Sequence, residues 1–435
     1  MSETIVTLKK GEGRTIKAGG AWIYDNEIDT ITGAFKNGDI INVRDFDGYP
    51  MGKGFINQNS KIRVRMLTRK SDQEIDRDFL AMRVRNAWEY RKTIVISSDD
   101  LNCCRIIFGE ADWLPGLVVD KYADVLVVEC LALGMDKLKE VILNELVKIL
   151  EEDGYSIRGI YERSDAPVRK KEGMQPFKGF LYSSDKAGDN KFLNGGEFVT
   201  DVEIIENGVH YMVDVVNGQK TGYFLDQKYN RLAMQRICRN LASGLHNKEV
   251  KELKILDCFT HMGTFALNMG LALKNAGYNK SAVTGLDISE YAVSQATANA
   301  RLNHLDNIVS FRAANVLDEL PRLLEAGEKY DVVVLDPPAF TKSREATKNA
   351  IKGYREINMK GLKLVKDGGY LATCSCSHFM TQELFIKTIG EAAKSAHKRL
   401  RQIEFRTQAA DHPILWAADE SYYLKFLIFQ IVDEK

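Results

Sequence analysis

Two cysteines stand two residues apart in CSCSHFM, Cys374 to Met380, after the apolar run GGYLAT (368–373) and before a polar, helix-like segment. A thiol so placed can act as a nucleophile, bind a metal, form a disulfide or simply pack. On an extended chain positions 374 and 376 share a face with Cα atoms about 6.5 Å apart, which leaves no easy bridge between them. A C-x-C-x-H zinc site completed by His378 has no credible second ligand pair in the chain. A reactive thiol and a packed thiol therefore remain open for both. A second pattern with chemical content is YDVVVLDPPAF, Tyr330 to Phe340. Two successive prolines remove donors and fix φ, so the backbone leaves a buried strand rigidly with its carbonyls toward a pocket. Asp336 sits at that exit, and Phe340 can stack on a flat ring; the plainer reading is a strand-end turn.

The elements that must position these residues alternate. KILDCF, AVTGLDI, IVSFRAA, DVVVLDP and YLATCS read as short apolar strands, with amphipathic helices such as SEYAVSQATANARLNHL between them. That alternation predicts a parallel sheet covered on both faces, beginning near residue 190. KILDC runs into the turn FTHMGTF and then a helix, a nucleotide-binding corner in which Gly263 lets a ligand approach the backbone. The G-x-G-x-x-G dinucleotide fingerprint is absent. Asp287, ending the second strand, suits two ribose hydroxyls or a helix cap; Asn315, ending the third, suits an adenine amino group or a helix cap.

Upstream, residues 1–70 read as a β-rich domain of short strands and DG or NG turns, with alternation in IRVRML. It carries 12 Lys and Arg against 8 Asp and Glu, a net of +4. A helix-like connector (71–94) leads into a small central α/β domain, placed at 71–189. Its end lies near a segment (170–198) with no strong periodic element. The whole chain of 435 residues has formal net charge zero, so an anionic partner must meet a local patch. No membrane span or signal peptide is read, and seven scattered cysteines fit reduced cytoplasmic thiols better than a secreted disulfide framework. No internal repeat is detected.

The order DCFTHMGTF, GLDIS, Asn315, LDPPAF and TCSCS on successive strand ends resembles the motif series of class I S-adenosylmethionine-dependent methyltransferases. GEADWLPGLVVDKY, GQKTGYFLDQKYNR (218–231) and QAADHP (408–413) extend the resemblance over the whole chain, to the bacterial large-subunit ribosomal RNA cytosine-5 methyltransferases. That resemblance implies a PUA-like RNA-binding domain at 1–70, the central domain, and a Rossmann-like catalytic domain at 190–435. It implies S-adenosylmethionine as cofactor and large-subunit ribosomal RNA as partner, with a homodimer left open. The donor site it implies comprises Phe224, Asp226, Gln227, Asp257, Thr260, Gly263, Thr264, Phe265, Asp287, Ile288, Ser289, Asn315, Val316, Asp336 and Pro337. Where the family more often carries Asp, this chain has Asn315, which keeps the acceptor oxygen.

Carbon 5 of cytosine is not nucleophilic until a thiolate adds at carbon 6, so the implied chemistry needs a reactive cysteine. The resemblance assigns that role to Cys376; Cys374 falls where a more distant branch with a T-C-S motif places its own. Asp336 is expected to hold the cytosine edge, not to activate the thiol, because a neighbouring anion raises a thiol pKa. Lys342 and Arg231 are candidate positive groups near RNA or the donor, and Leu225 joins the segment over the donor pocket. Two other readings stand beside this one: a nitrogen methyltransferase that uses DPPAF without a nucleophile, and a non-catalytic RNA-binding assembly factor.

Overall fold

The computed structural model describes residues 3–183, 200–243, 253–278, 282–341 and 346–433. The chain forms two compact units and crosses between them five times. Met1–Ile204, Val213–Leu225 and Ala410–Ser421 make the first, and Ile205–Met212, Asp226–Ala409 and Tyr422–Lys435 the second.

The first unit holds two sheets. One has six strands in the spatial order Trp22–Tyr24, Ile62–Thr68, Pro50–Ile56, Ile40–Arg44, Ile5–Leu8 and Ile28–Thr32. Val6, Leu8, Ile23, Ile41, Val43, Val64 and Met66 are buried in its core, as alternation along these strands requires. The alternation in IRVRMLT does not leave both of its arginines in water. Arg65 is buried, with Glu110 and Glu172 each at 3.2 Å and the Trp22 ring 5.5 Å away. The second sheet has five strands in the order Phe177–Ser183, Gly159–Ser164, Val125–Cys130, Leu117–Tyr122 and Cys103–Phe108. Helices Arg77–Ile94 and Leu133–Glu152 accompany it, the first capped by Asp76, whose side chain accepts from the Phe79 amide. The strand Phe177–Ser183 falls inside the segment read as aperiodic. Lys178 and Gly179 interrupt its apolar pattern, and pairing with Gly159–Ser164 supplies the order that the pattern does not advertise. Two of the quoted motifs meet within this unit. Asp120 accepts from the Thr221 hydroxyl at 2.5 Å while pairing with Arg105, and the Tyr122 hydroxyl lies 2.9 Å from the same Thr221 oxygen.

The second unit is built on seven strands, β1 (Lys254–Cys258), β2 (Ala282–Asp287), β3 (Val309–Ala313), β4 (Tyr330–Leu335), β5 (Val365–Ser375), β6 (Lys398–Arg406) and β7 (Lys425–Asp433). Their order across the sheet is β3-β2-β1-β4-β5-β7-β6. β1 to β5 run parallel, and β7 is antiparallel to both its neighbours. Helices α1 (Lys228–Ala242), α2 (Thr264–Asn275), α3 (Glu290–Leu302), α4 (Val316–Glu325), α5 (Thr347–Leu364) and α6 (Gln382–Ala396) belong to the same unit. The strand order reverses beside β1, which makes the carboxyl edge at β1 and β4 the place where such sheets bind ligands.

One glycine in this unit is dictated by packing. Gly263, the N-cap of α2, has φ +85°, and a Cβ there would lie 2.6 Å from Phe311 Cζ and 3.2 Å from Ala296 Cβ. The absence of a side chain at 263 is thus required by the protein's own packing. Gly263→Ala is expected to lower stability by about 1–3 kcal/mol through overpacking and backbone strain. Adding Phe311→Leu should restore part of it in urea melts; no recovery would assign the whole loss to the backbone.

Candidate active site

Register delivers the motif residues to one edge. Cys258 on β1 lies opposite Leu286 on β2 and Leu335 on β4, and Leu335 lies opposite Thr373 on β5. The next residues out are therefore Phe259, Asp287, Asp336 and Cys374, with Cys376 just beyond the end of β5. β7 adds Lys425 opposite Ser375.

The loop after β1 is held by carboxylates. Asp257 Oδ2 accepts from the Thr260 hydroxyl at 2.5 Å and the Ala266 amide at 3.0 Å. Asp287 Oδ2 accepts from the His261 amide at 2.9 Å and Oδ1 from the Ser289 amide at 3.0 Å. Phe259 and His261 both adopt positive φ, 63° and 51°, so these bonds hold a loop that is costly for non-glycine residues. Burial, opposed by those two hydrogen bonds and reinforced by Asp336 and Asp287, pushes the Asp257 carboxyl up to about 7. Its Oδ1 is buried and has no hydrogen-bond partner among the described residues.

The other expected donor residues divide. Ile288 stands 72% exposed beside the partly exposed Asp287 and Ser289. Ser289 caps α3 through the Ala292 amide. Asn315 is exposed, but the oxygen expected to meet an adenine caps α4 through the Leu317 amide, while its nitrogen donates to Asp318. Val316 is in the core, Thr264 is buried, and Phe265 is buried with its ring stacked on Phe426. Phe224 and Leu225 belong to the first unit, where Lys220 Nζ lies 4.5 Å from the Phe224 ring centroid. Asp226, in the second, accepts from the Tyr423 hydroxyl at 2.8 Å. Arg231 corrects an expectation: it is buried and forks onto Glu206 at 2.6 and 2.9 Å, so its charge is not presented to a phosphate. Lys342 lies outside the described residues. Phe340, partly buried, packs tilted against Tyr354, with ring centroids 4.7 Å apart.

Gln227 ties the Asp-Pro-Pro turn to the cysteine strand. Its buried side-chain nitrogen lies 3.2 and 3.1 Å from the two Asp336 oxygens and 3.2 Å from Cys374 Sγ. Asn230 donates to the Gln227 oxygen at 2.6 Å, and Arg406 donates to Asn230, so the amide cannot rotate without breaking several bonds. The two cysteines differ sharply. Cys374 is wholly buried, and burial, Asp336 and Cys376 hold its thiol well above the ordinary range. Cys376 is partly exposed. Neighbouring Ser375 donates to the Tyr354 hydroxyl at 3.0 Å, and Ser377 donates to the Thr341 carbonyl at 3.0 Å, so the turn around Cys376 is pinned on both sides. Asn230, Arg406 and Lys425 are the members that sequence reading missed. None belongs to a strand-end motif, and only strand pairing and helix packing bring them in.

A buried, unpartnered carboxylate oxygen on β1 and an exposed isoleucine after the β2 acid suit a ligand carrying hydroxyl or amine donors and a flat ring. Residues 249–425 match the methyltransferase domain family and residues 6–69 the PUA-like domain family. The fold recurs in a protein from Streptococcus mutans described as a SAM-dependent methyltransferase, at TM-score 0.74 and 17% identity, covering 98% of this chain and 99% of that one. It recurs as well in a methyltransferase solved with S-adenosylhomocysteine, at TM-score 0.73 and 18% identity, covering 99% and 100%. The fold and site thus define an S-adenosylmethionine-dependent methyltransferase carrying a PUA-like domain. Among curated proteins, ribosomal RNA large subunit methyltransferase I of Shewanella frigidimarina is 36% identical over 98% of this chain and 99% of its own length. That of Aliivibrio fischeri is 35% identical over the same shares. The chain belongs to the ribosomal RNA large subunit methyltransferase I family.

The raised Asp257 carboxyl has a pH consequence. Held protonated in the folded state up to about 7 against an ordinary 3.8, it favours folding fully below about 4, and that contribution is lost as pH rises through about 7. Relative to Asp257→Asn, which does not titrate, the wild type should therefore lose stability between pH 4 and 7. Urea melts of both proteins across that range would show parallel curves if the carboxyl were ordinary.

Proposed function

We propose that this protein transfers a methyl group to carbon 5 of a cytosine in large-subunit ribosomal RNA, through a covalent bond from Cys376 to carbon 6. The observation that carries this reading is the contrast at the end of β5: one sealed thiol, Cys374, and one partly exposed thiol, Cys376, on the edge that holds Asp257, Asp287 and Asp336. A nitrogen methyltransferase has no use for a thiol presented there. Support for the RNA class comes from the relatives' names and from the PUA-like domain.

In this reading Asp287, with Ile288 beside it, binds the donor's ribose and adenine, and the open oxygen of Asp257 accepts from one of its N–H or O–H groups. Thr260, Gly263 and Thr264 shape the loop that faces it. Asn315 serves as a helix cap, with contact to adenine left to the other residues. S-adenosylmethionine, when bound, supplies an electrophilic methyl group. Asp336 accepts from the cytosine amino group and fixes the ring's edge, Pro337 sets the rigid exit of the strand, and Gln227 holds Asp336 in orientation.

Cys376 Sγ bonds to carbon 6, and the π pair of the carbon 5–carbon 6 bond moves into the ring. Carbon 5 uses that pair to bond the methyl group, whose bond to the donor's sulfur breaks with the pair left on that sulfur. Loss of the carbon 5 proton to a base returns the pair to the ring, and Cys376 leaves as thiolate. Lysines and arginines of the PUA-like sheet supply phosphate contacts, so RNA affinity should fall with rising salt.

The test is nucleoside mass spectrometry on ribosomal RNA from a strain lacking the protein, remethylated with labelled S-adenosylmethionine. Wild type and Cys374→Ala should form 5-methylcytosine, and Cys376→Ala should form none above about one part in a thousand. An N-methylated base made equally by all three would sink the thiol mechanism.

A further inference from the structure

β7 begins with a buried cation. Lys425 is 1% exposed, and its Nζ donates to the Ser377 carbonyl at 2.6 Å and the Tyr423 carbonyl at 2.9 Å. The Tyr422 ring centroid is 5.7 Å away. No carboxylate pairs with it among the described residues, and an ammonium has three donors, so one N–H is left over. A buried charge without a counter-charge is expensive and is normally neutralised or paired. Burial lowers Lys425 to about 8, and the groups that act against that lowering are Cys374 and Cys376.

Of these two, Cys374 cannot supply the negative charge. It is sealed, it faces Asp336, and its thiol is held protonated by burial and that carboxylate. Cys376 remains. It is partly exposed, and the residue after it, Ser377, hands its carbonyl to the Lys425 ammonium. The antiparallel register of β7 on β5, Ser375 opposite Lys425, brings the lysine to the end of β5, and its bond to the Ser377 carbonyl fixes the ammonium at the residue after Cys376. Among the described residues, Asp336 lies against Cys374 and His378 follows two residues after Cys376, while Tyr354 and Tyr422 are pushed up by burial and stay neutral at pH 7.

We propose that Lys425 is the positioning residue that keeps Cys376 as thiolate, a fixed ammonium on β7 serving as its counter-charge before RNA arrives. The role rests on Cys376 being the nucleophile of the reaction proposed above. In chemical terms the pair stores no bond: the Cys376 proton goes to solvent, and the resulting anion is held by a cation that is already in place.

Alkylation of Cys376 by iodoacetamide, followed across pH by peptide mass spectrometry in the full chain, reads this directly. The wild-type rate should have its midpoint at least one unit below the ordinary thiol value of about 8.5. Lys425→Met should move that midpoint up by about one unit or more and slow alkylation at pH 7 by about tenfold, while Lys425→Arg keeps it low. A wild-type midpoint at or above the ordinary value overturns the proposal without any variant, as does an unmoved midpoint in Lys425→Met. The two proposals fail separately. If Cys376→Ala still methylates while the midpoint shifts as stated, the covalent mechanism falls and the ion pair stands. If Cys376→Ala is dead and the midpoint does not move, only the role of Lys425 falls.

Discussion

The in-step register of β1, β2, β4 and β5 is the constraint on which the rest depends. Because Cys258, Leu286, Leu335 and Thr373 stand on neighbouring rungs, residues far apart in the chain end together. A slip of one residue in any strand would turn its terminal side chains to the other face and bury an acid where an aliphatic residue belongs. The aliphatic run of β4 and the helices on both faces make such a slip costly, so the geometry at the edge inherits its precision from the core. The carboxylates then do local work: Asp257 accepts from Thr260 of the loop and Ala266 of α2, and Asp287 from His261 of the loop and from Ser289, which ties down a loop with positive-φ residues.

Much of this edge was legible in the sequence, for a physical reason. A parallel strand must exit at its carboxyl end, so the residues after KILD, TGL and VVVL had to meet at one rim. What escaped was everything that depends on partners remote in sequence. Asn315 offers the same oxygen to an adenine or to its own helix, and only the structure shows Leu317 receiving it. Arg231 looks like a phosphate-binding cation until Glu206 is seen to enclose it. Lys425 opens a strand, a position usual for a solvated lysine, and nothing in KFLIFQIVD indicates that β7 will insert between β5 and β6. Phe177–Ser183 was hidden by the opposite fault, a weak local pattern completed by a strong neighbour.

The cysteines show how little distance is needed for different chemistry. Cys374 is still inside β5, paired with Phe426 across the sheet, and shares the environment of the core. Two residues later the chain has left the sheet, and the same kind of side chain is partly exposed to solvent. The strand end, more than the residue type, separates a sealed thiol from an accessible one.

The five crossings of the chain between its two units bear on how a ribosome must make this protein. Arg91 donates to the Asp411 carbonyl and Arg105 to its carboxylate, so the hydrogen bonding of the first unit is completed by a segment about 300 residues downstream. β7, which sits inside the second sheet, emerges last of all. The hydrophobic cores of the first unit draw only on its amino-terminal stretch and can close first, in the usual order, whereas the second unit is not continuous and waits for β7. The nascent chain therefore keeps the core of the second unit unfinished until nearly its final residues, because Leu427, Phe429 and Ile431 belong to it.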